Sequence, residues 1–249
     1  MTALAVLTYH AIADAASPLA VAPALFARTM ARLAHEGWRT LDEGEVQAGL
    51  RAGTWPARSF VVHFDDGFAS VKEHGWPVLR DLGFTATVFV VSGWAGTTND
   101  WPSQPAGVPR WPLMTWDDLA GLKGEGATVA AHTVNHPRLP RLAVDQQVDE
   151  IGQSIEAVER RFGRGLRVFA YPYGEASADT RSAAGPLIDL AYTTELALVE
   201  PHSKPLAVPR VDACYLATPG MAASLTTLRM RRYLGVRRAG RLLRSVLTR

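Results

Sequence analysis

The stretch SFVVHFDDG, residues 59–67, decides how the rest of the chain is read. Ser59 to Phe64 is an alternating, β-branched apolar run that predicts a buried strand. It leads directly into two adjacent carboxylates, Asp65 and Asp66, and then Gly67. Burial and mutual repulsion both raise the cost of ionising such a pair. Asp-Asp-Gly is also ordinary turn chemistry, with Asp as a cap and Gly accepting a positive φ. A bound cation would make the paired charges tolerable.

Outward from this stretch, strand-like runs recur at 3–9, 84–91, 127–131, 167–171, 189–193 and 206–211. Helical patterns lie between them at 22–37, 42–50, 68–82, 115–123 and 142–162. In the last of these, Val144, Val148, Ile151, Ile155 and Val158 fall at three- and four-residue steps, and Gly163 and Gly165 stop the pattern. Alternating strands and helices predict parallel βαβ units in a single sheet or barrel. Active sites in such folds gather at the C-terminal ends of the strands.

Two more strand ends carry chemistry-bearing residues. AHTVNHP (131–137) supplies His132 and His136, and two imidazoles plus one carboxylate form a donor set suited to zinc, with positions open for water. Histidines four apart are also common as plain surface or core residues. FAYPYGE (169–175) is by itself an aromatic turn around Pro172 and Gly174. The Gly/Pro-rich stretch 92–111 contains three tryptophans and reads as a functional loop.

Taken in order, these segments resemble the NodB-type polysaccharide deacetylases, carbohydrate esterase family four. The family's first motif, T/S/H-F-D-D-G, matches His63 to Gly67, and its second, H-S/T-x-x-H, matches His132, Thr133 and His136. The third, R-x-P-Y-G, matches Tyr171 to Gly174 with Ala170 in the place of Arg. The segments 83–94 and 114–133 resemble the family's intervening stretches, so that the likeness spans roughly residues 4 to 212. No L-x-H motif follows the third segment, whereas VLTYHAI near the start brings a strand to His10. That resembles the circularly permuted branch, which includes deacetylases of poly-N-acetylglucosamine.

The resemblance implies an α/β fold, a distorted (β/α) barrel of about seven strands, and metal-dependent N-deacetylation of an N-acetylated glycan with release of acetate. It assigns Asp66, His132 and His136 to one divalent ion, zinc foremost, with Ni2+, Co2+ or Fe2+ also compatible. Asp65 would be the general base and His10 the general acid. The backbone at Tyr173, with Pro172 and Gly174, would hold the oxyanion. Arg210 is the candidate for the guanidinium missing at Ala170, with Asp212 as its orienting partner. Trp94, together with Trp101 and Trp111, would either stack on sugar rings or pack the loop. An amidase of non-sugar substrates and a non-catalytic glycan-binding module are the competing readings.

Composition bounds the setting. A hydrophobic content of 47% with 20% charged residues fits a soluble globular chain, and 249 residues allow a large core. Cys214, the single cysteine, excludes an intramolecular disulfide and a Cys-rich metal site. MTALAVLTYHAIAD lacks a basic n-region and does not read as a signal peptide, and no apolar run reaches eighteen residues. A cytoplasmic location is therefore expected. Residues 229–249 hold eight arginines and no acid, leaving 18 basic against 24 acidic side chains elsewhere, a net of −6. The expected division is a catalytic domain over 1–220 and a basic amphipathic tail over 221–249. The acidic body opposes nucleic-acid binding. The tail reads either as a terminal helix with a solvated basic face or as a contact with an anionic membrane, at its inner face.

Overall fold

The computed structural model describes residues 3–217 and 224–247, the side chains of residue 217 and of 241–247 excepted. In chain order its strands are β1 (Ala5–Tyr9), β2 (Ala11–Ile12), β3 (Ala20–Val21), β4 (Arg39–Thr40) and β5 (Ser59–Phe64). Then follow β6 (Thr87–Val90), β7 (Thr128–Ala131), β8 (Val168–Ala170), β9 (Leu190–Leu196) and β10 (Val208–Asp212). The helices are α1 (Pro23–His35), α2 (Glu43–Ala52), α3 (Trp76–Asp81), α4 (Trp116–Gly124), α5 (Val144–Phe162), α6 (Ala178–Ala184) and α7 (Leu228–Leu247). Seven parallel strands close into a ring in the order β1-β10-β9-β8-β7-β6-β5, with β5 returning to β1. This is the (β/α) barrel that the sequence predicts. Phe60 pairs with Ala5 on one side and Thr40 on the other, so β4 extends β5 on its β6 side.

Strand alternation sorts side chains into an inside and an outside. Leu4, Val6, Val61, Phe89, Ala130, Val168, Ala170, Leu190, Tyr192 and Val208 fill the barrel interior. Leu41, Val46 and Trp55, from α2 and its flanks, join that cluster and plug the N-terminal mouth. The opposite set packs under the helices. Phe26 of α1, for example, meets Tyr9 edge-on at 5.0 Å and Phe64 at 5.9 Å between ring centroids. Each such fully buried ring contributes ~1.5–3 kcal/mol.

Local signals account for the helix ends. Asp42 and Glu45 form a capping box at the start of α2, as Thr115 and Asp118 do for α4. The pattern predicted as one helix over 68–82 is split into a π turn, Val71–Gly75, and α3. Pro77 falls at this junction; it has no N–H to continue an α ladder, and the Trp76 N–H reaches back to the Val71 carbonyl instead. The apolar stripe of α5 also departs from expectation. Val144 is 53% and Val148 37% exposed, while Gln147, Ile151, Ser154 and Ile155 are buried. Val144 lies almost in line with Ile151 around the helix, so its exposure means that the first turns overhang the barrel wall.

The tail over 228–240 packs as a helix on the barrel. Leu225, Met230 and Leu234 join the main cluster, Arg231 pairs with Glu200 at 2.7 Å, and Arg238 pairs with Glu195 at 2.8 Å. Leu228 and Val236 face outward at 73% and 72% exposure. The predicted boundary at 220 lies outside the described residues, as do Arg249 and the side chains of Arg241, Leu242, Leu243, Arg244, Val246 and Leu247.

Candidate active site

The end of β5 turns sharply. Asp65 donates its N–H to the Tyr9 carbonyl at 2.9 Å, and then Asp66 (φ 71°) and Gly67 (φ 78°) both adopt left-handed conformations. The turn sends the two carboxylates to different partners, Asp65 into the barrel mouth and Asp66 toward the end of β7. There Thr133 (φ 66°) and His136 (φ 55°) are also left-handed. The Thr133 hydroxyl accepts the His136 N–H at 3.0 Å, and Glu150 of α5 accepts the N–H groups of Val134 and Asn135, each at 2.9 Å. With Tyr173 (φ 59°), four of the five non-glycine residues with positive φ among the described residues lie at this end of the barrel. Such conformations cost ~1–3 kcal/mol each and persist where surrounding structure enforces them.

Asp66, His132 and His136 converge. The Nε2 atoms of His132 and His136 lie 3.4 and 3.3 Å from Asp66 Oδ1, and all three residues are buried. The ring tautomers follow from the other nitrogens. His132 Nδ1 donates to the Ala170 carbonyl at 2.6 Å. Tyr173 OH gives its hydrogen to the Ser103 carbonyl at 2.8 Å and so accepts from His136 Nδ1 at 3.3 Å. Both Nε2 lone pairs are thereby left facing Asp66, the arrangement in which imidazoles ligate metals. Tetrahedral ligands about 2.0–2.1 Å from a zinc ion stand about 3.3–3.4 Å apart, so the observed spacings fit a shared divalent ion. Burial pushes His136 down, toward the neutral form that ligates.

Asp65 lies beside this cluster in a different environment. Arg210 of β10, only 2% exposed, grips it with both prongs: Nη1 to Oδ1 at 2.7 Å and Nη2 to Oδ2 at 2.8 Å. Arg210 Nε donates to the Thr193 carbonyl at 3.0 Å, which fixes the plane of the fork from β9. Burial raises the Asp65 carboxyl, yet the Arg210 guanidinium prevails and brings it to about 2. His10, just beyond β1, faces the same mouth with Nε2 at 3.9 Å from Asp65 Oδ2 and a quarter of its side chain exposed. The position matching the family Arg, Ala170, instead offers its carbonyl to His132.

The third segment forms a tight turn, Pro172–Gly174. At Gly174 (φ 69°) a Cβ would lie 2.1 Å from Thr194 Oγ1 and 2.3 Å from the Thr194 backbone nitrogen, so no side chain fits. The Tyr173 ring meets His136 edge-on at 4.7 Å, and the Arg138 guanidinium covers it at 4.1 Å. The tryptophan loop wraps this side of the site. Trp101 is buried and packs on His136 at 4.4 Å, so it serves the cluster and leaves no open face for a sugar. Trp94 and Trp111 are half-buried, the first edge-on to Trp101 and the second edge-on to Phe68. Asn99 staples the loop by accepting from the Trp111 N–H at 2.6 Å and donating to the Pro109 carbonyl at 3.1 Å. Ser103, Arg138 and Glu150 have no signature in the sequence, because each acts through a partner distant along the chain.

Comparison with known proteins gives this geometry a family. YxkH of Bacillus subtilis (strain 168), a protein assigned to the polysaccharide deacetylases, is 26% identical over 223 residues, covering 89% of this chain and 74% of its own. The poly-beta-1,6-N-acetyl-D-glucosamine N-deacetylase of Staphylococcus aureus (strain MSSA476) is 24% identical over 173 residues, which cover 65% of this chain and 56% of that protein. Among solved structures, IcaB from Ammonifex degensii superposes with a TM-score of 0.77 at 24% identity, covering 90% of this chain and 97% of its own. The Streptococcus pyogenes deacetylase PplD, in complex with acetate, gives 0.75 at 24% identity, covering 84% and 92%. The profile of the polysaccharide deacetylases matches residues 52–187, more than half of the 249, and the chain belongs to that family.

Proposed function

We propose that this protein is a metal-dependent N-deacetylase that hydrolyses the acetamide of an N-acetylated amino sugar in a glycan. The observation that carries the reading is the placement, at one barrel mouth, of a converging Asp66–His132–His136 donor set beside an Arg210-clamped Asp65 and a partly open His10. A divalent ion held by the three donors, zinc being the best match to them, would acidify water and polarise the acetamide carbonyl.

The chain's own groups supply the rest. Asp65, ionised and aimed by Arg210, takes the proton of the attacking water as its oxygen bonds to the carbonyl carbon. The backbone N–H of Tyr173, in the turn before Gly174, donates to the developing oxyanion. His10, carrying a proton, delivers it to the nitrogen as the C–N bond breaks, so acetate and a free amine leave. A binding module would need neither the base nor the acid.

The test is acetate release from β-linked N-acetylglucosamine oligomers, before and after chelation. Release that is lost on chelation and restored by zinc supports the reading. Release that survives chelation removes the metal, and an intact oligomer beside hydrolysis of simple acetamides supports a non-sugar amidase.

The exposed Leu228 and Val236, set among Arg229, Arg232 and Arg237, favour a second element of the proposal: contact of α7 with an anionic membrane on its cytoplasmic side. Each basic residue at such a surface is worth ~1 kcal/mol.

A further inference from the structure

A carboxylate lies inside the barrel below the catalytic mouth, and the chemistry above does not use it. Glu43 opens α2, the helix that plugs the N-terminal end, and only 3% of it is exposed. Three side chains from three strands converge on it: His63 Nε2 at 2.9 Å from β5, Thr87 Oγ1 at 2.7 Å from β6, and Tyr192 OH at 2.6 Å from β9. The two hydroxyls donate, and His63 must donate as well, because an ionised carboxylate only accepts. Burial pushes Glu43 up, but His63 and these hydrogen bonds pull it further down.

The network leads upward to the active site. His63 points into the barrel two residues before Asp65 on the same face of β5. Its ring meets Tyr192 edge-on at 4.4 Å and Phe89 at 4.9 Å. Those two rings form the floor on which the Arg210 guanidinium rests, with centroids 5.8 Å (Phe89) and 6.0 Å (Tyr192) away. Arg210 therefore has its ends fixed by Asp65 and Thr193 and its face supported by a ring that Glu43 holds in place.

We propose that Glu43 is a positioning residue for the deacetylation: by anchoring Tyr192 and His63 it seats Arg210, and through Arg210 it aims the Asp65 carboxylate at the attacking water. The proposal rests on the deacetylase reading above. A structural plug would give the same burial. What separates the two is whether Glu43 acts through Arg210.

The experiment is a double-mutant cycle on the metal-loaded enzyme with Glu43→Gln and Arg210→Lys, read as kcat and KM separately, alongside metal content. Displacement of a positioned group by an ångström lowers rates by as much as about a hundredfold, so Glu43→Gln is expected to lower kcat by about tenfold to a hundredfold. KM and metal content should stay near their wild-type values. In the Arg210→Lys background the same change should have little further effect, because residues that act in series are not additive. Equal fold losses in both backgrounds, or an effect confined to KM or metal content, overturn the proposal. Tyr192→Phe, which keeps the ring and removes one hydrogen bond, serves if Glu43→Gln does not fold, and is expected to lower kcat in the same direction. A second readout is independent of turnover: the Arg210 Nε–H resonance in 15N NMR should shift in Glu43→Gln, and an unchanged resonance refutes the linkage. If the wild-type enzyme releases no acetate, the deacetylase reading fails by itself, and the NMR result still decides whether Glu43 seats Arg210.

Discussion

Replacing Arg210 by leucine tests the central electrostatic claim. The substitution removes both charge-assisted bonds to Asp65, at 2.7 and 2.8 Å, and the bond to the Thr193 carbonyl, and leaves a carboxylate buried without its partner. Breaking such a pair from one side costs ~3–5 kcal/mol at neutral pH. For a chain of this length that corresponds to a fall in Tm of roughly 6–20 °C. The pH dependence carries the sharper test. In the wild type Asp65 sits at about 2 against an ordinary 3.8. A depressed carboxylate contributes stability that is fully present above about pH 4 and is lost as pH falls through about 2, here ~2–3 kcal/mol. In the variant the largest opposition to burial is gone, only the weaker pull of His132 and His10 remains, and the folded-state value rises. The stability that the depressed carboxylate supplies above about pH 4 shrinks accordingly. The stability gap between wild type and variant should therefore be widest at pH 7 and narrow on acidification. Urea unfolding of both proteins at pH 7, 5.5 and 4 measures it. A gap that stays constant with pH, or a variant as stable as wild type at pH 7, refutes the argument.

Other perturbations separate the remaining roles. Asp65→Asn should retain bound metal and lose ~10²–10⁴-fold in turnover, as removal of a general base does, whereas Asp66→Asn should weaken metal binding in calorimetric titration; equal metal loss in both contradicts the division. His10→Ala should keep metal content and lower the rate by ~10²–10⁴-fold, and an unaffected rate removes it as the acid. Gly174→Ala forces a Cβ to 2.3 Å from the Thr194 backbone nitrogen, so it should cost ~1–3 kcal/mol and most activity. Trimming Thr194 to Ala should not rescue it, and rescue would mean that the backbone clash is relieved elsewhere. Full-length protein should co-sediment with anionic vesicles at low salt, and Arg229→Glu with Arg232→Glu should abolish this; equal binding by both ends the membrane reading.

The seven barrel strands were legible because strands buried in a parallel sheet are rich in β-branched and aromatic residues, as in residues 59–64. Two-residue strands such as β2 and β4 are too short to show a period, and they exist because neighbouring backbone groups need partners. Among the site residues, Asp65, Asp66, His132 and His136 announce themselves through local spacing at strand ends. The Arg210–Asp65 clamp spans two strands far apart in sequence, and its geometry appears only when the ring closes. Glu43 reads in sequence as a favourable first-turn acid on α2, and nothing local tells that it points inward. Trp101 fails as a sugar platform for a similar reason: its surroundings are set by the fold of a long loop.

The seam of the barrel gives the folding pathway a functional order. β1 is held on one side by β5 and on the other by β10, so its pairing of Leu7 with Val211 waits for the last strand of the described chain. Contacts of such high sequence separation are slow to form, and during synthesis β1 must remain unpaired on that edge until β10 emerges. The Asp66, His132 and His136 donors come from β5 and β7, away from the seam, while His10 and Arg210 border it on either side. An open-seam intermediate would thus carry a formed donor set and a disarmed Asp65, and proton-transfer competence would arrive in the same step as global cooperativity. Amide exchange along β1 and β10 should accordingly track loss of turnover more closely than exchange along β6 and β7.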